Sequence, residues 1–252
     1  MKVSSAYGMI ANRLRRHDIY SKAEYWDKKA EELDGHSISM WPNNHLNELY
    51  HHEQTAIIER ILRDVAGRRA LDVGCGTGRM TRYLASRGAI VKGIDFAARA
   101  IDIAKQASPP DNPTYSVQSI FDLEDREQYD LVLSWGSIVI ASRNVGELRD
   151  ALDRLYRSLR PGGEILLLEP IHRGFLHRVL NLHVDDFVSQ MTAAGFELLD
   201  VTNMHFWPAR IVLSYFQVPR PITQLVYHAG QRLMTRAFPR MGDYKAIHAV
   251  RR

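Results

Sequence analysis

Residues 71 to 80 read LDVGCGTGRM, and the chemistry they could do depends on what Gly74, Gly76 and Gly78 hold. A glycine loop between an apolar run and a helical pattern brings backbone N–H groups close to a ligand, at the positive end of a helix. A triphosphate loop requires Lys followed by Ser or Thr after its last glycine, but Arg79 and Met80 stand there. A dinucleotide loop sets its third glycine three positions beyond its second, and here Gly78 comes one residue early. The spacing is therefore GxGxG, which makes a nicotinamide cofactor the weaker fit. Asp95 closes the next apolar run, where a carboxylate can accept hydrogen bonds from both hydroxyls of a ribose. Any adenosine cofactor would satisfy that feature.

A second group of residues could move protons. His172, in the run EPIHRG, follows an apolar strand pattern, and an imidazole with a near-neutral pKa can take a proton from a hydroxyl. It is the leading candidate base, with Glu169, His51 and His52 behind it. The stretch LYHHE sets Tyr50, His51, His52 and Glu53 on one helix, where neighbours point in different directions, so one or two at most can face a substrate. No His-x-x-x-His pair with a helical carboxylate partner occurs there, and no metal site is expected. The single cysteine, Cys75, excludes an intrachain disulfide and a cysteine metal cluster, and fits a reducing, cytoplasmic compartment.

The elements that must carry these residues can be read from periodicity. Short apolar runs (ALDV, AIVKGID, TYSVQSI, DLVLSWG, EILLLEP, FELLDVTNM) alternate with helical spacing over 80–87, 97–106, 145–159 and 184–194. Such alternation implies an α/β fold, a doubly wound, mostly parallel sheet with helices on both faces. The 252 residues read as one domain: a helical cap over 1–68, a core over 69–206, a helical insert over 207–241 and a last strand over 242–252. No stretch approaches the roughly 18 apolar residues of a membrane span. The basic amphipathic residues 1–18 lack a leader's apolar core and are expected to form an N-terminal helix. From Trp207 onward eight arginines and lysines stand against Asp243 alone, so the positive charge sits at the C-terminal end.

In order along the chain, LDVGCGTG, VKGID, YDLVLSW and LRPGGEILLLEP resemble the class I methyltransferase family that uses S-adenosylmethionine, over residues 70–204. The resemblance implies a Rossmann-like sheet with an antiparallel last strand and S-adenosyl-L-methionine as cofactor. By it, Gly74, Cys75 and Gly76 would pass beneath the methionine part, with Asp72 supporting the loop. Asp95 would hold the ribose, Phe96 would lie against the adenine, and Ser119 and Ile120 would edge it. Ser134 and Trp135 would sit beside the methionine moiety, and Tyr25, with Tyr20 and Trp26 beside it, would fold over the cofactor. The fourth strand ends in SWGSI rather than the [ND]PP[YFW] loop that grips planar amino groups, which lowers the odds of nucleic acid. The expected activity is methylation of a small or lipid-like acceptor, on oxygen in preference to nitrogen or carbon. The alternatives are RNA methylation and a non-catalytic cofactor-binding partner protein. The insert, with Ile222, Leu225, Val226, Ala229 and Leu233 at helical spacing, is a candidate lid or peripheral membrane contact.

Overall fold

Ala70 to Val73, all buried, form most of β1 (Arg69–Val73), the strand from which the sheet is organised. The computed structural model describes residues 19–32 and 41–252; the basic segment 1–18, expected as a helix, lies outside the described residues. β1 pairs in parallel with β2 (Ile90–Asp95) on one side and β4 (Tyr129–Trp135) on the other. β3 (Thr114–Val117) extends the sheet beyond β2, and β5 (Leu159–Glu169) lies beyond β4. β7 (Gly242–Arg251) runs antiparallel between β5 and β6 (Phe196–Phe206), giving the order β3-β2-β1-β4-β5-β7-β6.

The near-continuous apolar runs follow from this burial: Ile165 to Leu168 on β5 are wholly inaccessible because helices cover both faces. One face packs Leu148, Leu152 and Leu155 with Phe187 and Met191. The other packs Ile58, Leu62 and Leu84 against Leu131, Leu133 and Leu166. Burying a side chain of this size stabilises the fold by about 1.5–3 kcal/mol.

The helices, in chain order, are α1 (Ala23–Glu32), α2 (Asn44–Leu62), α3 (Arg79–Ser86), α4 (Ala98–Gln106), α5 (Ile138–Ala141), α6 (Val145–Ser158), α7 (Val184–Ala193), α8 (Trp207–Leu213) and α9 (Arg220–Arg236). α2 begins where Asn43 accepts from the backbone N–H groups of His45 and Leu46, and α6 where Asn144 accepts from Glu147 N. The insert between β6 and β7 is α8 and α9.

The packed face of α9 is not the one that carries most of its apolar spacing. Thr223, Tyr227, Gly230 and Met234 are buried, whereas Ile222, Leu225 and Leu233 are exposed. Two contacts rotate the helix this way. A Cβ on Gly230 would come within 2.9 Å of the Phe206 ring, so the glycine permits close approach to the end of β6. Tyr227 turns its hydroxyl inward to the Glu53 carboxylate on α2.

Candidate functional site

The glycine loop leaves β1 at its carboxyl end, where β1 and β4 diverge to helices on opposite faces, the crevice in which doubly wound sheets hold ligands. Gly74 has φ +69°, and a Cβ there would collide with the Ser137 side chain. Gly76 has φ +54° and nothing within 4 Å of an added Cβ. Its exposed backbone forms part of the wall of a cavity of about 460 Å³, within the ~300–1,000 Å³ range of small-molecule sites. A loop bare of side chains and opening on such a volume fits an adenosine cofactor approached by backbone.

Asp95 ties the loop down. Its Oδ2 accepts from Gly76 N at 2.8 Å and its Oδ1 from Ala97 N at 2.9 Å. Each carboxylate oxygen retains a lone pair for a ligand hydroxyl. Burial raises the Asp95 pKa, and the two backbone donors oppose the shift. Asp72 is also buried; burial pushes its pKa up to about 6, while the Thr81 hydroxyl, donating at 2.7 Å, pulls the other way. It braces the loop against the first turn of α3.

Asp72, Gly74, Cys75, Gly76, Asp95, Phe96, Ser119, Ile120 and Trp135 all line this one cavity. Three expected site residues do not. Ser134 is fully buried and donates to Glu169 Oε1 at 3.1 Å, so it faces the α5 side of its strand instead. Tyr25 is not a lining residue whereas Trp26 is, because successive positions on α1 face different ways; Tyr20, ahead of the helix, also lines the cavity. His172 also stands apart from the lining. Its Nε2 lies 2.9 Å from Asp243 Oδ1, in a buried network in which Arg210 Nε approaches Asp243 Oδ2 at 2.8 Å and Arg178 Nη2 at 3.6 Å. Burial raises the Asp243 pKa, but Arg210, His172 and Arg178 outweigh it and hold the carboxyl well below its usual range. Glu169 is likewise internal. It accepts from the backbone N–H groups of Ser137, Ile138 and Val139 at the start of α5, and burial pushes its pKa up to about 7.

The cavity contains groups that the sequence did not single out. Arg79 projects from the first position of α3, with its guanidinium 4.2 Å from the Trp135 ring centroid. It contacts His51 Nδ1 and makes no carboxylate ion pair among the described residues. Burial lowers the Arg79 pKa to about 10; burial and then the Arg79 charge lower that of His51 to about 4, leaving a neutral ring that can accept from the guanidinium. Trp41, Tyr50, Gln54 and Tyr244 complete that wall. The only hint of Arg79 was its position directly behind the third glycine.

A family model described as a methyltransferase domain matches residues 70–163, the stretch from β1 into β5 that builds the loop and Asp95. Residues 70–163 thus match a methyltransferase domain, and the fold is that of S-adenosylmethionine-dependent methyltransferases of known structure. The chain is 27% identical over 168 residues to the ubiquinone biosynthesis O-methyltransferase of Coxiella burnetii, covering 57% of this chain and 70% of that one. It is 36% identical over 112 residues to the demethylmenaquinone methyltransferase of Clavibacter sepedonicus, 44% of each chain. The magnesium protoporphyrin IX methyltransferase of Synechocystis, solved with S-adenosylmethionine bound, superposes with a TM-score of 0.59 at 15% identity, over 96% of this chain and 97% of that one. At that identity the superposition speaks for the fold.

Behind the cavity wall, a polar knot joins the cap to the insert. His205, at φ +56°, sets Nδ1 2.8 Å from Glu53 Oε2 and Nε2 2.9 Å from the Gln54 amide, while its ring stacks 3.7 Å from that of Tyr50. Tyr227 and Gln231 of α9 donate to the same Glu53 carboxylate. Burial raises the Glu53 pKa, but His205 and Tyr227 outweigh it and keep the group ionised. Among the described residues none of 207–241 lines the cavity; the insert meets its wall at α2 and at Trp41, over whose ring the Arg210 guanidinium lies at 5.1 Å.

Proposed function

We propose that this protein transfers the methyl group of S-adenosylmethionine to an oxygen of a small, apolar, lipid-like acceptor. The observation that carries the reading is that one cavity combines the glycine loop and Asp95 with an aromatic wall of Tyr20, Trp26, Trp41, Tyr50, Trp135 and Tyr244. Relatives named for ubiquinone and demethylmenaquinone chemistry support an acceptor of that kind.

In this reading Asp95 receives the ribose hydroxyls, Phe96 and Ile120 bracket the adenine with Ser119 at its edge, and the backbone of Gly74 to Gly76 underlies the methionine part. Arg79 offers its charge to the cofactor carboxylate; among the described residues it makes no direct ion pair, and Asp72 acts on it without contact. The acceptor oxygen attacks the sulfonium methyl in line; the O–CH3 bond forms as the S–CH3 bond breaks, and its electron pair returns to sulfur. Positioning supplies most of the rate. With His172 bonded to Asp243 outside the lining, the reading favours an acceptor that gives up its proton readily, such as a phenol, an enol or a carboxylic acid.

The test is to incubate the purified protein and S-adenosylmethionine with catechols, quinols, simple phenols and aryl carboxylic acids, and follow S-adenosylhomocysteine by chromatography. O-methylated product formed one for one with S-adenosylhomocysteine is expected. Cofactor binding without turnover of any acceptor would mark a binding protein instead, and turnover confined to amines would move the chemistry to nitrogen.

A further inference from the structure

We propose that the outward face of the α8–α9 insert is a docking surface for an anionic lipid bilayer. With Thr223, Tyr227, Gly230 and Met234 turned inward, the opposite side of α9 presents Ile222, Leu225 and Leu233 to solvent, 51%, 71% and 45% exposed. α8, which packs against α9, adds Val212 at 64%, and Phe216 and Phe238 flank the pair. Single exposed apolar side chains are ordinary; a row of them at helical spacing on adjoining helices marks an interaction surface.

The charges select the occupant. Residues 207–241 contain no Asp or Glu. Arg232 lies seven residues after Leu225, so the two share one side of the helix, and Arg236 falls seven after Ala229 on the same side. Arg232, Arg236 and Arg240 make no ion pair among the described residues, while Arg220 reaches Glu48 at 3.7 Å. Apolar side chains interspersed with free arginines match the boundary between headgroups and acyl chains, where the apolar groups enter and the guanidiniums stay among lipid phosphates. A second copy of the chain across a two-fold axis would bring the same arginines against one another. No described helix is long and apolar enough to cross a membrane, so the helix lies on the surface. Through Glu53, Tyr227 and Gln231 the docked helix holds α2, whose Tyr50 and Gln54 line the cavity, so an acceptor in the bilayer would be one helix away.

Membrane docking goes beyond the proposed reaction, and its test uses no acceptor. Full-length protein is sedimented with vesicles of phosphatidylcholine alone or with about one-third phosphatidylglycerol, at low and high salt. Wild type should partition to the anionic vesicles. At about fivefold per arginine near such a surface, Arg232→Ser with Arg236→Ser should lower partitioning roughly 25-fold and remove most of the salt dependence. Leu225→Ser with Leu233→Ser should lower it by about tenfold or more at either salt. Unchanged melting and unchanged S-adenosylmethionine binding establish that the variants are folded. Failure of wild type to sediment with anionic vesicles overturns the proposal, as does wild-type partitioning by either double variant. A dimer dissociated by Leu225→Ser with Leu233→Ser also overturns it and assigns the face to a second copy. Loss of docking alongside normal turnover of a water-soluble acceptor leaves the methyl-transfer reading standing.

Discussion

Replacing Asp95 tests the cofactor site most directly. Asp95→Ala removes two sets of acceptors at once: those holding Gly76 N and Ala97 N, at 2.8 and 2.9 Å, and those proposed for the ribose hydroxyls. Two hydrogen bonds from a ligand to a charged group contribute about 3–6 kcal/mol, at ~1.5–3 each. The carboxylate is buried and its pKa raised, so the free enzyme already bears a desolvation cost that the variant escapes. The net loss should fall to about 1.4–2.8 kcal/mol, a tenfold to hundredfold rise in the cofactor Kd. Leaving Gly76 N without a partner also loosens the loop. Asp95→Asn keeps one carbonyl acceptor and the side-chain shape, and should fall between wild type and Ala. Calorimetric titration with S-adenosylmethionine and S-adenosylhomocysteine reads both variants. If Asp95→Ala melts as a folded protein and binds with wild-type affinity, Asp95 does not hold the cofactor.

Arg79→Met should raise the Kd for S-adenosylmethionine about tenfold or more while leaving that for adenosine unchanged, because only the former carries a carboxylate; equal losses for both ligands would count against the assignment. His172→Ala should keep turnover within about threefold of wild type but destabilise the fold by about 1–3 kcal/mol, since a buried Asp243 loses a partner, and a hundredfold fall in turnover in a folded variant would restore it to the chemistry. Gly74→Ala should lower stability by about 2 kcal/mol or more and abolish cofactor binding, because the φ of +69° and the Ser137 side chain both oppose a Cβ; a thermal melt and a binding titration read the two effects. Glu169 has a pKa raised to about 7 by burial, so the folded state binds its proton more tightly than the unfolded state. Its contribution is fully present below the unfolded pKa and lost as pH rises through the folded one. The stability of wild type relative to Glu169→Gln should therefore decline between about pH 4.5 and 7, by up to about 3 kcal/mol, and a flat difference across denaturant melts would contradict the shift.

The sheet was legible because its signals are local. ALDV and EILLLEP are too apolar for half-exposed strands, and each ends in the glycine or acid that turns the chain. The cofactor loop was legible for the same reason: Gly74, Gly76 and Asp95 are specified by spacing to the following strand. Side-chain direction was not. Ser134 and Trp135 are adjacent on β4, and the pleat sends one to Glu169 and the other to the cavity. Tyr25 and Trp26 diverge likewise on α1. The surroundings of His172 were hidden because its partner, Asp243, is distant in sequence and arrives only when β7 inserts beside β5. On α9 the apolar spacing lies mostly on the outward face, because a glycine and a tyrosine hydroxyl decide the packing and neither scores as apolar.

The knot at Glu53 bears on how this enzyme could be recombined with its relatives. Exchanging residues 207–241 alone would carry away Tyr227 and Gln231 and leave the Glu53 carboxylate with His205 as its remaining donor. A workable crossover must move the insert together with α2, and α2 brings Tyr50 and Gln54, two residues of the cavity wall. The surface-facing module and part of the pocket are thus inherited as one piece, and a shuffled library cut between them should yield mostly unfolded clones.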